Sequence, residues 1–122
     1  MASLLLANAY YWLGMPDSAL AVYSDLTMKS PDLAAAVLAG TGACHAEKRE
    51  FAKAASAYEE AAMKAKNATL KAHYLASAAD NYLDGGKREK AVKLYKKTIA
   101  EYPGSTGAAL SQRSLWQISG RR

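Results

Sequence analysis

The chain has one cysteine, three prolines and one phenylalanine in 122 residues. With Cys44 as its only thiol, no intrachain disulfide can form, and a lone cysteine fits either a reducing compartment or an envelope protein that needs no disulfide. Valine and isoleucine are scarce and alanine dominates the apolar set. Alanine is the best helix former, and its small side chain lets helices approach closely, which argues against long β-structure. No run of about 18 apolar residues exists, so no segment reads as a bilayer span. Met1 to Leu6 contains Leu4, Leu5 and Leu6 but no basic residue ahead of them, which makes it a poor secretory leader.

What is present reads as globular. The composition is 51% hydrophobic and 22% charged, and the length is that of one domain able to bury a core without staples. The net charge of +5 is unevenly placed, at −2 through residue 45 and +7 beyond it. A moderate positive excess usually serves solubility.

Three segments align on one spacing. The first places Ala7, Tyr10, Pro16, Ala19, Tyr23, Leu26 and Pro31. The second places Gly42, His45, Phe51, Ala54, Tyr58 and Ala61. The third places Ala79, Tyr82, Arg88, Ala91, Tyr95, Thr98 and Pro103. The anchor alanines Ala19, Ala54 and Ala91 lie 35 and 37 residues apart, and five of the eight tyrosines fall on aligned aromatic positions. A small residue on the first helix of each pair (Ala7, Gly42, Ala79) suits the place where the second helix crosses, and Ala19, Ala54 and Ala91 receive it. The middle segment departs at two places, with His45 for the usual tyrosine and Lys66 where proline is expected.

On these residues the chain resembles the tetratricopeptide repeat family, whose period is about 34 residues. The resemblance covers nearly the whole chain. It implies an all-α fold, a right-handed superhelical stack of three helical hairpins plus a C-terminal capping helix, in a single domain over 1–122. The repeats fall at about 1–33, 35–68 and 72–105, and the capping helix at about 106–118. The pattern predicts helices over 3–13, 16–29, 32–47, 50–66, 69–84, 87–102 and 106–118. Ser30-Pro31 reads as a cap followed by proline at the first helical position, and Tyr102 to Thr106 as a stop and a new cap. In the last helix Ala108, Ala109, Leu115 and Trp116 form an apolar stripe suited to cover the third hairpin.

Catalytic chemistry finds little support. His45 sits at an aligned core position and His73 at the start of the fifth helix, where a partly exposed group is expected. Neither has metal ligands at the right spacing, and Cys44 faces a different side of its helix from His45. Gly85-Gly86-Lys87 lacks the first glycine and the Ser/Thr of a phosphate loop and reads as a hairpin turn. Asp80 and Asp84 lie one helical turn apart, an exposed acidic face without a second pair or metal. The expectation is therefore no enzyme, no metal and no cofactor.

By resemblance, the concave wall is built from the first helix of each pair. Its candidate partner-binding residues are Asn8, Tyr11 and Trp12, then Ala43 and Glu47, then His73, Asp80 and Asp84, with Leu110, Ser114 and Gln117 extending it. Such a wall suits a protein or peptide ligand. The family's carboxylate clamp does not fit, because the Lys-x3-Asn it needs is Leu4-x3-Asn8 here and its later Lys-x3-Arg is His73-x3-Ser77. The alternative is contact with nucleic acid or an anionic surface through the sixth helix, where Lys90, Lys93 and Lys97 share a face. That face has no interleaved aromatic, since Tyr95 belongs to the core. The start inside a repeat helix, and the Tyr102-Pro103-Gly104-Ser105 connection, resemble the C-terminal repeats of longer bacterial proteins, including membrane-anchored envelope ones. Leu4, Leu5, Leu6, Tyr10, Tyr11, Trp12 and Leu13 spread apolar atoms around the first helix, which points to self-association there. Gln112, Arg113 and Gln117 give the seventh helix a polar outer side. No compartment follows from the sequence.

Overall fold

Two kinds of punctuation alternate along the chain. The computed structural model describes residues 2–120. They form α1 (Ala2–Trp12), α2 (Pro16–Ser24), α3 (Pro31–Glu47), α4 (Phe51–Lys64), α5 (Ala68–Asp84), α6 (Arg88–Glu101) and α7 (Thr106–Ile118). There is no strand among the described residues. The starts of α3, α5 and α7 are capped by side chains. Ser30 Oγ accepts from the Leu33 N–H at 3.3 Å, Asn67 Oδ1 from Leu70 at 3.0 Å and Ser105 Oγ from Ala108 at 3.0 Å. Each bond satisfies a donor that the first helical turn leaves free.

The starts of α2, α4 and α6 carry no side-chain cap. Each follows a left-handed residue, Gly14 at φ +75°, Arg49 at +62° and Gly86 at +82°. All three turns make the same bonds. The left-handed residue's N–H donates to the carbonyl of Tyr11, Ala46 or Leu83, and the next N–H donates to that of Tyr10, His45 or Tyr82. This closes the carbonyl end of α1, α3 and α5 with one local motif.

The helix count and order agree with the periodic reading, with one substantive correction. The second helix ends at Ser24 rather than reaching residue 29. Beyond Asp25 the chain is irregular, and Leu26 and Met28 both pack on the N-terminal core while Thr27 is exposed. Alternating burial of that kind belongs to extended chain, which turns every second residue inward.

Helices pack in chain order, and α7 also packs on α5, which closes the last hairpin. The alignment is in register throughout: Ala7, Ala19, Ala54, Ala79 and Ala91 are all fully buried. At Gly42 an added Cβ would lie 3.0 Å from the Tyr58 ring and 3.2 Å from the Ala54 carbonyl oxygen, so α4 crosses α3 at backbone contact. At Gly107 the Cβ would fall 2.4 Å from the Ala72 carbonyl oxygen, and α7 meets α5 equally closely.

The core divides in two. Leu4, Ala7, Ala19, Tyr23 and Cys44 form one cluster. A larger one runs from Ala35 through Ala61, Tyr74 and Leu75 to Leu94 and Tyr95. Helix α3 serves both, with Leu33, Val37 and Cys44 turned to the first and Ala35, Leu38 and Ala39 to the second.

The departure at Lys66 has a structural reason. Its backbone N–H donates to Asp32 Oδ1 at 2.7 Å, and the same oxygen accepts from Asn67 N–H at 3.3 Å. A proline there would have no hydrogen to give. The stripe on α7 also differs from expectation. Gly107, Ala108 and Ser111 are buried and Leu115 and Ile118 half-buried, whereas Ala109 is exposed and Trp116 is 52% exposed. Each helical residue turns about 100°, so Ala109 and Trp116 lie one step past the contact line.

Candidate partner-binding face

The helices α1, α3 and α5 carry the residues proposed to meet a partner, and the structure sorts them into structural pins and free groups. Asn8 is a pin: the Tyr23 hydroxyl of α2 donates to its Oδ1. Asp80 is its counterpart, receiving the Tyr95 hydroxyl of α6 at 2.5 Å. Tyr23 and Tyr95 are 3% and 1% exposed, so each hydroxyl needs an acceptor where its ring emerges from the core. Burial, then Cys44 and Tyr11, pushes the Tyr23 phenol up to about 12.

Asp80 is exposed as a residue, yet its carboxyl is turned against Tyr95. Burial of that carboxyl raises its pKa, and Asp84 adds to the rise. The Tyr95 hydrogen bond and His73 pull the other way. His73 and Asp84, both exposed, therefore lie within electrostatic reach of Asp80 on one face of α5.

Tyr11 is half-buried. Burial raises its phenol pKa, with Glu47 and Cys44 of α3 contributing next. It stands edge-to-face on Trp12, with ring centroids 5.4 Å apart. Trp12 itself is 82% exposed. Ala43 is half-buried and Glu47 exposed. Tyr11 of α1 thus lies within electrostatic reach of Glu47 of α3, and His73, Asp80 and Asp84 share one face of α5.

Two groups escaped the sequence reading. His45 is half-buried rather than packed away, with Nδ1 2.8 Å from Glu50 Oε1. Nearby Lys48 reaches Asp17 at 2.6 Å, tying the start of α2 to the α3–α4 turn. Tyr82 corrects the expectation that no aromatic lies on the basic face of α6. Lys90 Nζ sits 5.2 Å from its ring centroid, and its hydroxyl donates to Glu59 of α4. The spacing of Lys90, Lys93 and Lys97 could not reveal it, because Tyr82 arrives from α5. Its carboxylate partner and its single ring leave that face without the run of stacking surfaces that base recognition uses. Among the described residues no cluster of histidine, cysteine, aspartate or glutamate could hold a metal ion, and no helix is long and apolar enough to cross a membrane.

Neither the curated proteins nor the solved structures yield a match. The family model described as "Tetratricopeptide repeat" matches residues 1–32 and 77–105. These stretches hold the hairpin of α1 and α2 and the second half of α5 with α6. The middle hairpin falls outside them, and it is the one with His45, Arg49 and Lys66 at otherwise characteristic positions. With half the chain matched, the small-residue crossings in register and the hairpins packed in sequence, the chain belongs to the tetratricopeptide repeat family, a non-catalytic repeat scaffold whose repeats generally mediate protein–protein interaction.

Proposed function

We propose that the chain is a protein-interaction scaffold whose working surface is the face of α1, α3 and α5, taking a peptide or an extended segment of a partner protein. The observation that carries this is the convergence of aromatic and acidic groups there, Tyr11 with Glu47 and Asp84 beside Asp80, in a protein whose net charge is +5. Such a face favours a ligand with apolar side chains and cationic ones to meet the carboxylates.

Asn8 and Asp80 hold Tyr23 and Tyr95, so changing them disturbs the fold. Glu47→Lys and Asp84→Lys touch exposed groups, and Tyr11→Phe removes a hydroxyl while keeping the half-buried ring on the N-terminal core. With the chain as bait, proteins captured by the parent should be lost from this triple variant and retained by a Lys90→Glu, Lys93→Glu, Lys97→Glu variant. The reverse pattern would transfer the function to α6.

A second contact, self-association through α1, is favoured by a separate observation. Leu5 is 64%, Leu6 47%, Trp12 82% and Leu13 72% exposed. Leu4 is buried and Tyr10 and Tyr11 are half-buried, so the apolar surface is narrower than the sequence suggests. It remains a contiguous strip on one end of the stack, where neighbouring units normally bury one another. Sedimentation of the parent should show association that Leu5→Gln with Trp12→Ser abolishes. A parent that stays monomeric at all concentrations would remove this second contact.

A further inference from the structure

Asn8, Ala43 and Asp80 occupy equivalent places. Each directly follows the small residue at its hairpin's crossing, Ala7, Gly42 or Ala79, and each lies 15 residues before the aligned tyrosine, Tyr23, Tyr58 or Tyr95. In the first and third hairpins the tyrosine hydroxyl spends its hydrogen on the side-chain oxygen at that place. In the middle hairpin the place holds a methyl group.

Tyr58 therefore differs from its counterparts. Its ring lies against Gly42, and it is half-buried where Tyr23 and Tyr95 are sealed. Its hydroxyl has no hydrogen-bond partner among the described residues. Nor is it one of their buried orphaned atoms, of which Ser111 Oγ is the single case, so it opens to solvent. Within its electrostatic reach lie Tyr11 of α1, the buried Cys44 of α3 and, on α5, Asp80 and the buried Tyr74. Burial first, and then these groups, push the phenol up to about 12. At neutral pH the group is a committed donor in search of an acceptor.

We infer that the middle hairpin leaves this acceptor place to the partner, and that the Tyr58 hydroxyl donates to the side-chain amide oxygen of an Asn or Gln in the bound peptide, seated over Ala43. Asn8 and Asp80 show that either an amide or a carboxylate oxygen satisfies such a tyrosine in this fold, and the charge around the place selects the amide. Asp80 lies within electrostatic reach of Tyr58, and the exposed Glu47 stands one helical turn from Ala43 along α3, so a carboxylate from the partner would meet like charge, whereas an amide brings a neutral oxygen and an NH2 that faces those acids favourably. This inference rests on the α1, α3 and α5 face being the one a partner takes.

The test begins with the free chain. Tyr58→Phe should melt where the parent does, while Tyr23→Phe and Tyr95→Phe should each melt a few degrees lower, since only they lose a hydrogen bond. A comparable drop for Tyr58→Phe would show that its hydroxyl is already bonded, and would overturn the inference. Ala43→Asn should raise the melting temperature by supplying the missing acceptor from within.

Binding is probed with a random peptide display library selected on the 122-residue chain. Enriched peptides should share an Asn or Gln at one register. Replacing it with alanine, or using Tyr58→Phe, should each weaken binding about tenfold. The two together should weaken it no further, because both remove the same bond. Ala43→Asn should weaken binding at least as much. Peptides that bind Tyr58→Phe as tightly as the parent, but are lost on Glu47→Lys with Asp84→Lys, would overturn the subsite and leave the face standing. Peptides that survive all of these changes, or a library that yields no binder, would remove both.

Discussion

At the scale of single residues, the turn inside the middle hairpin stores a small strain. Gly14 and Gly86 reach φ near +80° without penalty, but Arg49 holds φ +62° with a Cβ attached. A side chain in that region costs about 1–2 kcal/mol. Arg49→Gly should therefore raise stability by up to about 1 kcal/mol, part of the gain being offset by loss of the guanidinium from the Phe51 ring, 5.3 Å away. Gly86→Ala should lower stability by about 1 kcal/mol, although nothing stands within 4 Å of the new methyl. Chemical denaturation of the two variants checks both signs. Alanine anchors such as Ala19 and Ala91 were legible in the sequence because one small residue per repeat is a steric demand, and sterics recur with the period. Tyr58 was legible as an aligned ring but not as an open hydroxyl, because that depends on what stands opposite it, and Ala43 speaks only when set beside Asn8 and Asp80.

At the scale of elements, the joins between hairpins rest on side chains reaching from one helix to the next. Asp32 at the start of α3 accepts from both Lys66 and Asn67 at the start of α5. Lys66→Pro would restore the family pattern yet should cost about 1–3 kcal/mol, because the Asp32 carboxylate loses its nearer donor. A melting temperature equal to the parent's would show this join to be idle. Asp80 offers a pH test. Its folded pKa is raised, so the native state holds a proton that the unfolded chain gives up more readily. Its contribution to stability therefore grows as pH falls through the folded pKa, and levels off below the ordinary value of 3.8. Asp80→Asn should preserve the bond to Tyr95, as Asn8 does for Tyr23, and should flatten that part of the stability profile. A profile unchanged by the substitution would assign the pH dependence elsewhere. The early end of α2 was illegible because no proline or glycine stands between Ser24 and Ser30. Leu26 and Met28 are apolar enough to continue a helix, and only their packing shows that they do not.

For the whole molecule, the unequal division of the core matters most. The cluster of α1 and α2 is small, and α1 exposes Leu5, Leu6 and Trp12, whereas the cluster from α3 to α7 is larger and bounded by helices on both sides. In stacks of repeats, local stability follows what each unit buries against its neighbours. Amide hydrogen exchange should show α1 and α2 opening at lower free energy than α5 and α6, with α3 intermediate. Uniform protection across all helices would show that the two clusters unfold as one.

Because α3 belongs to both clusters, it is the splice that passes load between a weak segment and a strong one. A calorimetric scan of the free chain should then show a shoulder, as the N-terminal pair melts ahead of the rest. A ligand gripping both Tyr11 on α1 and Glu47 on α3 would fasten the weak segment to its splice, merging the shoulder into a single, sharper peak. Occupancy could thus be read as a gain in cooperativity before the partner's identity is known.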